Sequence, residues 1–192
     1  MAGESSHWLL DMATFHGFRD ERPKEEKWEL IDGRPVMLPP PSLVHQRICR
    51  NLETLLNERL RVVKPDWAAD REIGLLIPQD EKFNPEPDVT VIDTEIELEQ
   101  LYAERFYFVA EVLSGSDKPW VLKAKLDYYK RHEPCGAVLF VRQDQIIAEL
   151  FTKSDGWAKF DLSMIDRVNI PNIGDIGPLS DLYRYTPLAL RP

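Results

Sequence analysis

Two apolar runs constrain this chain more than any other feature in it. "VTVID" (residues 89–93) and "RFYFVAEVL" (105–113) have the length and β-branched, aromatic content of buried strands. Each carries a carboxylate that a buried strand should not tolerate. Asp88 opens the first run directly after Pro87, and Glu111 sits inside the second. Two carboxylates on neighbouring strands would meet at one end of a sheet. There they repel, and each is pushed toward protonation unless a cation intervenes. Oxygen ligands of this kind suit Mg²⁺ or Mn²⁺. The structural alternative is that Asp88 starts its strand in water and Glu111 pairs with a buried lysine.

Around these runs the chain reads as an α/β domain with a mixed central sheet flanked by helices. Residues 6–17 hold an amphipathic pattern of Trp8, Leu9, Met12 and Phe15. "WELIDGRPVML" reads as a hairpin turning at Asp32-Gly33. "PPP" at 39–41 stops its second strand, since proline cannot donate to a ladder. Val44, Ile48, Leu52, Leu55, Leu56 and Leu60 recur at helical spacing over 42–62, with Ser42 as N-cap. Residues 66–77 read as one strand. "TEIELEQLYAER" reads as an exposed helical loop. A helix is expected at about 118–132, followed by two strands in "GAVLFV" and "QIIAELF". The tail from Asn169 reads as irregular. We expect one domain over 1–192: an N-terminal helix and hairpin (6–38), a core (42–151), and a C-terminal hairpin and irregular tail (152–192).

The helix expected at about 118–132, in "DKPWVLKAKLDYYKRH", is basic in an acidic chain. Five lysines and arginines stand against two aspartates in residues 117–132, while the whole chain carries −9. That overall charge argues against non-specific coating of nucleic acid but leaves room for a local site. Leu122, Leu126 and Tyr129 form an apolar face, and Lys125 borders it, four residues before Tyr129. A lysine placed near two metal-holding carboxylates steadies a developing negative charge. Lys118, Lys123 and Lys130 read as a solvated face.

These pieces together resemble the Uma-two family of restriction-endonuclease-like proteins, within the PD-(D/E)XK superfamily. "PEPDVTVID", "YFVAEVLSGSD" and the Lys125 and Tyr129 of "KAKLDYYK" carry the likeness. Upstream, "WELIDGRPVMLPPPSLVHQRI" is similar to the family's N-terminal hairpin, proline-rich turn and histidine-led helix. The resemblance covers roughly residues 28–142. It implies a restriction-endonuclease-like core and a Mg²⁺- or Mn²⁺-dependent endonuclease acting on DNA. Asp88 and Glu111 would hold the metal. Leu113 stands where the superfamily places its lysine, and Lys125, fourteen residues past Glu111, matches the lysine of the helix. Tyr129, Glu29 and His45 match accessory positions. Gly115 and Val121 depart from the family's pattern, which commonly has proline and aspartate there.

Glu29 could face the site or solvent, because Trp28 and Leu30 flank it. His45, at the start of its helix, reads more readily as a capping or surface histidine than as a ligand. Glu72, in "REIGLL", could reach the metal from the preceding strand. A catalytically silent interaction or regulatory protein on the same fold is the competing reading, since fold does not fix function. A hydrolase using Ser114 or Ser116 is disfavoured, because neither lies in a GxSxG elbow. Cys49 and Cys135 form no CxxC or CxxH pattern, which disfavours a zinc motif and a disulfide scaffold. No apolar run is long enough to span a bilayer, and no basic leader precedes one, so a cytoplasmic location is expected. Nucleic acid is the expected partner. A homodimer is also expected, with the strands after residue 136 leaving an edge to cover.

Overall fold

A computed structural model describes residues 9–189. Helix α1 (Met12–Asp20) begins at Asp11, whose carboxylate accepts the Thr14 N–H; Trp8 lies outside the described residues. Strands β1 (Lys27–Ile31) and β2 (Arg34–Leu38) form the expected hairpin. Asp32 and Gly33 both take positive φ, 51° and 72°, which is the type I′ geometry that matches strand twist. Helix α2 (Leu43–Val63) follows the prolines. Ser42 caps it by accepting the His45 N–H, so His45 itself is not the cap.

The remaining elements are β3 (Trp67–Asp70), β4 (Gly74–Leu75), β5 (Val89–Asp93), β6 (Tyr102–Ala103), β7 (Phe106–Leu113), α3 (Pro119–Arg131), β8 (Ala137–Arg142), β9 (Ile147–Thr152), β10 (Lys159–Ser163), β11 (Arg167–Ile170) and β12 (Gly174–Pro178). The central sheet has six strands in the order β10-β9-β8-β7-β5-β3. Only β7 and β8 run parallel, joined through α3; the other pairs are antiparallel. The sheet is therefore mixed, as expected. Among the described residues no helix is long and apolar enough to cross a membrane.

Strand β7 is buried on both faces, which explains its nearly continuous apolar sequence. Phe108, Ala110 and Val112 pack on the α2 side with Ile48, Leu52, Leu56 and Leu60. Val109 and Leu113 pack on the α3 side with Val121, Tyr128 and Tyr129. Alternation puts Glu111 on that second face, beneath α3. Val121 serves as an apolar anchor of α3, so the helix docks without an acid there. Burying each such large side chain stabilises by about 1.5–3 kcal/mol.

Three expectations are corrected. The strand predicted over 66–77 breaks after Asp70, where Glu72 takes a left-handed φ of 56°. The chain then leaves the sheet, and β4 pairs in parallel with β6. Residues 94–101 form no helix, because Ile96, Leu98 and Leu101 find no surface to pack on; Leu98 is fully exposed. The tail is ordered: β11 and β12 form a hairpin, and Val168, Ile170, Ile176, Leu182 and Tyr183 join the α2 core. Gly174, at φ 90°, gives room to the Arg59 guanidinium, whose nearest atom would lie 2.8 Å from a Cβ there.

His132 ends α3 with its ring stacked on Phe106 at 3.9 Å, its Nε2 accepting the Phe106 N–H at 3.3 Å. Burial lowers its pKa from 6.5 to about 4. Protonation thus favours the unfolded chain, so this contribution is complete above pH 6.5 and is lost as pH falls toward 4. His132→Gln, which keeps an acceptor but no titration, should flatten the decline in urea midpoint between pH 7 and pH 5. An unchanged decline would contradict the assignment.

Candidate active site

The register that builds the sheet also builds the site. Val89 pairs with Ala110, so Asp88, one residue before β5, stands across from Glu111 at the same end of the sheet. Asp88 Oδ2 accepts the Val112 N–H at 2.6 Å, which locks the carboxylate to β7. The acid that opens the first apolar run is thereby satisfied by the second.

Glu111 is held from the helix above it. Lys125 and Tyr129, one turn apart on α3, reach down together. Lys125 Nζ lies 3.0 and 3.2 Å from the two Glu111 oxygens, and the Tyr129 hydroxyl donates to Oε1 at 2.5 Å. Lys125 does not sit at a margin, as its sequence position suggested. It is only 5% exposed, and its ammonium lies between two carboxylates. The second is Glu29 of β1, whose Oε1 is 2.8 Å away and also accepts the Glu86 N–H at 2.7 Å. The open question about Glu29 is thus resolved toward the site: it is fully buried, and its Oε2 has no hydrogen-bond partner.

His45 approaches from α2. Its Nε2 is 3.2 Å from Asp88 Oδ1, and its Nδ1 is 3.5 Å from Cys49 Sγ. It is not the cap, and its side chain is mostly buried, 17% exposed at the cleft. Glu72 is not brought into the cluster. It lies on the rim, half exposed and paired with Lys27, because the break after β3 turns it outward. A cleft of about 250 Å³ connects these groups to solvent, walled on one side by Pro39, Pro40 and Pro41. Ser42 Oγ donates to Gln143 at 2.8 Å and fixes that wall to the end of β8. Sequence reasoning missed Glu86 and Cys49. Their signals were present: Glu86 lies two residues before Asp88, and Cys49 one helical turn after His45.

Burial pushes the Glu111 carboxyl above the usual carboxylate range. Lys125 pulls it down, while Asp88 and Glu29 raise it further. Burial works against the Lys125 ammonium, but the Glu111 and Glu29 charges outweigh it and raise its pKa. Glu29 is the nearer partner of the ammonium, at 2.8 Å against 3.0 Å for Glu111. Burial likewise opposes the His45 imidazolium, and the hydrogen bond and charge of Asp88 overcome it. Tyr129 is held as a phenol, chiefly by burial. Glu111 and Glu29 thus share the one buried ammonium, and Asp88 pairs with His45.

The family described as "Uma2: Putative restriction endonuclease" matches residues 12–165. A crystal structure described as that of a "putative nuclease belonging to DUF820", from Anabaena variabilis, is similar in fold with a TM-score of 0.69. The two share 15% identity over 86% of this chain and 94% of that one. No curated protein matches the chain.

Because Lys125 balances two buried carboxylates, Lys125→Met should destabilise the protein by about 3–5 kcal/mol. Adding Glu29→Gln should recover part of that loss. A urea-unfolding double-mutant cycle measures it; strictly additive effects would mean that the two side chains do not interact.

Proposed function

The chain belongs to the Uma2 family, and we propose that it is a divalent-metal-dependent endonuclease hydrolysing phosphodiester bonds of DNA. The observation that carries this reading is the convergence of Asp88, Glu111 and Lys125 at the floor of one cleft. In this reading the described fold and its flanking residues form one nuclease domain over 1–192. The two buried free thiols accord with work in the reducing cytoplasm.

The donors fit a hard cation. Asp88 Oδ1 and the Glu111 oxygens are carboxylate ligands, and the buried carboxylates outnumber the single buried ammonium. Asp88 and Glu111 would hold Mg²⁺ or Mn²⁺. When bound, such an ion polarises the scissile phosphate and lowers the pKa of a bound water. The rest is done by the chain. Tyr129 fixes the Glu111 carboxylate by its 2.5 Å hydrogen bond. Glu29 holds the Lys125 ammonium at the cleft floor, where it meets the negative charge that builds on the phosphoryl oxygens during attack. His45 orients Asp88 and offers the phosphate a cationic neighbour. The proline wall shapes the approach of the backbone.

A catalytically silent protein on this fold has one observation in its favour. Lys125 is already satisfied by two carboxylates, as it would be in a purely structural cluster. Cleavage assays separate the two readings. Supercoiled plasmid and single-stranded circular DNA should be nicked with Mg²⁺ or Mn²⁺ and left intact in chelator. Asp88→Asn and Glu111→Gln should abolish nicking, and Lys125→Met should slow it by on the order of a hundredfold or more. Lys123→Ala, whose exposed side chain pairs with Asp127, is the control and should retain activity. No cleavage under any divalent ion, or equal loss in all four variants, would sink the proposal.

Two subunits would allow both strands to be cut. Edge strand β10 exposes Phe160, and antiparallel self-pairing about it would set Lys159 against Asp161 of a second copy. Light scattering should then give twice 22.3 kDa; a mass of 22.3 kDa at micromolar concentration would remove this part of the reading.

A further inference from the structure

Asp88 and His45 also belong to a second donor set, completed by Cys49, which the hydrolytic reading does not use. His45 and Cys49 are four residues apart on α2, so both side chains stand on one face of the helix. Asp88 meets that face from the start of β5. One ligand atom from each residue lies within 4.8 Å of the other two. In a tetrahedral zinc shell, with bonds of about 2.0 Å to nitrogen and 2.3 Å to sulfur, ligand atoms stand roughly 3–4 Å apart. As placed, the imidazole stands between the other two, Nδ1 3.5 Å from Cys49 Sγ and Nε2 3.2 Å from Asp88 Oδ1, so an ion held by one ring nitrogen requires the His45 ring to turn. Asp88 is prepared for this, because the Val112 N–H holds Oδ2 and leaves Oδ1 toward His45.

The chemistry of the set differs from that of the carboxylate pair. Imidazole, thiolate and one carboxylate oxygen suit a borderline-soft ion and compete poorly for Mg²⁺. His45 and Asp88 line the cleft, which gives an ion a way in and an open fourth position for water. Cys49 stands behind them, 4% exposed. A buried thiol beside a histidine is a poor nucleophile toward an outside substrate, since nothing large reaches it. A metal ion entering past His45 does reach it.

We propose that His45, Cys49 and Asp88 form a Zn²⁺-class binding site that shares Asp88 with the hydrolytic centre, so that occupying one withdraws a ligand from the other. On binding, the Cys49 S–H bond is replaced by a metal–sulfur bond and its proton leaves to water. Where His45 carries a second proton, that proton leaves as well. The site itself stands on the geometry alone. Its consequence, zinc acting as an inhibitor that displaces the hydrolytic metal, rests on the function proposed above.

Cobalt titration of the full chain tests the site without any need for activity, because a thiolate on Co²⁺ gives a charge-transfer absorption band. The wild type and Cys135→Ser should both show the band, and one equivalent of Zn²⁺ should bleach it. Cys135 is buried on the α3 side of the sheet and makes no contact with the cluster. Cys49→Ser should lose the band. His45→Gln and Asp88→Asn should weaken cobalt binding by at least the roughly tenfold that loss of a partner behind a ligand costs. Cadmium NMR on the wild type gives a reading independent of how the variants fold: a shift typical of one sulfur with nitrogen and oxygen donors supports the site, and an all-oxygen shift overturns it. A wild type without the band, or a Cys49→Ser protein that keeps it, also overturns it. Cleavage with no cobalt–thiolate band would leave the hydrolytic reading standing and end this one. A band with no cleavage would do the reverse.

Discussion

The ammonium of Lys125, set between Glu29 and Glu111, ties together three parts of the chain that are distant in sequence. Glu29 comes from the N-terminal hairpin, Glu111 from the central strand, and Lys125 from the helix that links the two parallel strands. Each group alone would be costly to bury, and only the cluster makes all three tolerable. A well-packed apolar trio would stabilise the fold as well or better. The cluster is therefore an inefficient way to hold a sheet together, and a suitable way to hold charge at the floor of a cleft. Tyr129 adds a donor to Glu111, and Asp88 stands beside it across the ladder. What remains unanswered in the cluster is one orphaned oxygen of Glu29.

Much of this was legible in the sequence, for an identifiable reason. Asp88 and Glu111 announce themselves because they interrupt apolar runs that leave no other place for an acid. Helix α2 and the β1–β2 hairpin were readable because cap, period and turn agree locally. Lys125 was legible beside the apolar face from its spacing to Tyr129, and its assignment to the site came by family resemblance; its depth was not legible, since an exposed and a buried lysine look alike in a helical pattern. Glu29 was ambiguous because strand alternation fixes two faces without saying which one is covered. The break at Glu72 and the β11–β12 hairpin escaped for a different reason. Both depend on distant partners: β4 finds β6, and Val168, Ile170 and Ile176 find α2. Local propensity carries no record of such pairings. The Cys49–His45 contact escaped because a histidine four residues before a cysteine on one helix face matches neither the CxxC nor the CxxH spacing.

The chain's charge and the site's charge describe one constraint. A protein at −9 does not hold a polyanion by its general surface. Binding would have to be concentrated where Lys125, His45 and a captured cation offset the carboxylates. A metal would then both recruit the phosphate and activate the attacking water. It would also convert the cluster from a self-contained ion network into a functional one, because Glu111 cannot serve the metal and keep its proton.

That conversion is the account's central claim, and a calorimetric titration of the metal-free protein with Mn²⁺ tests it most directly. The account predicts one ion per chain, with binding abolished in both Asp88→Asn and Glu111→Gln. A flat wild-type titration, or binding that survives both substitutions, would contradict it and leave the buried charges as architecture alone.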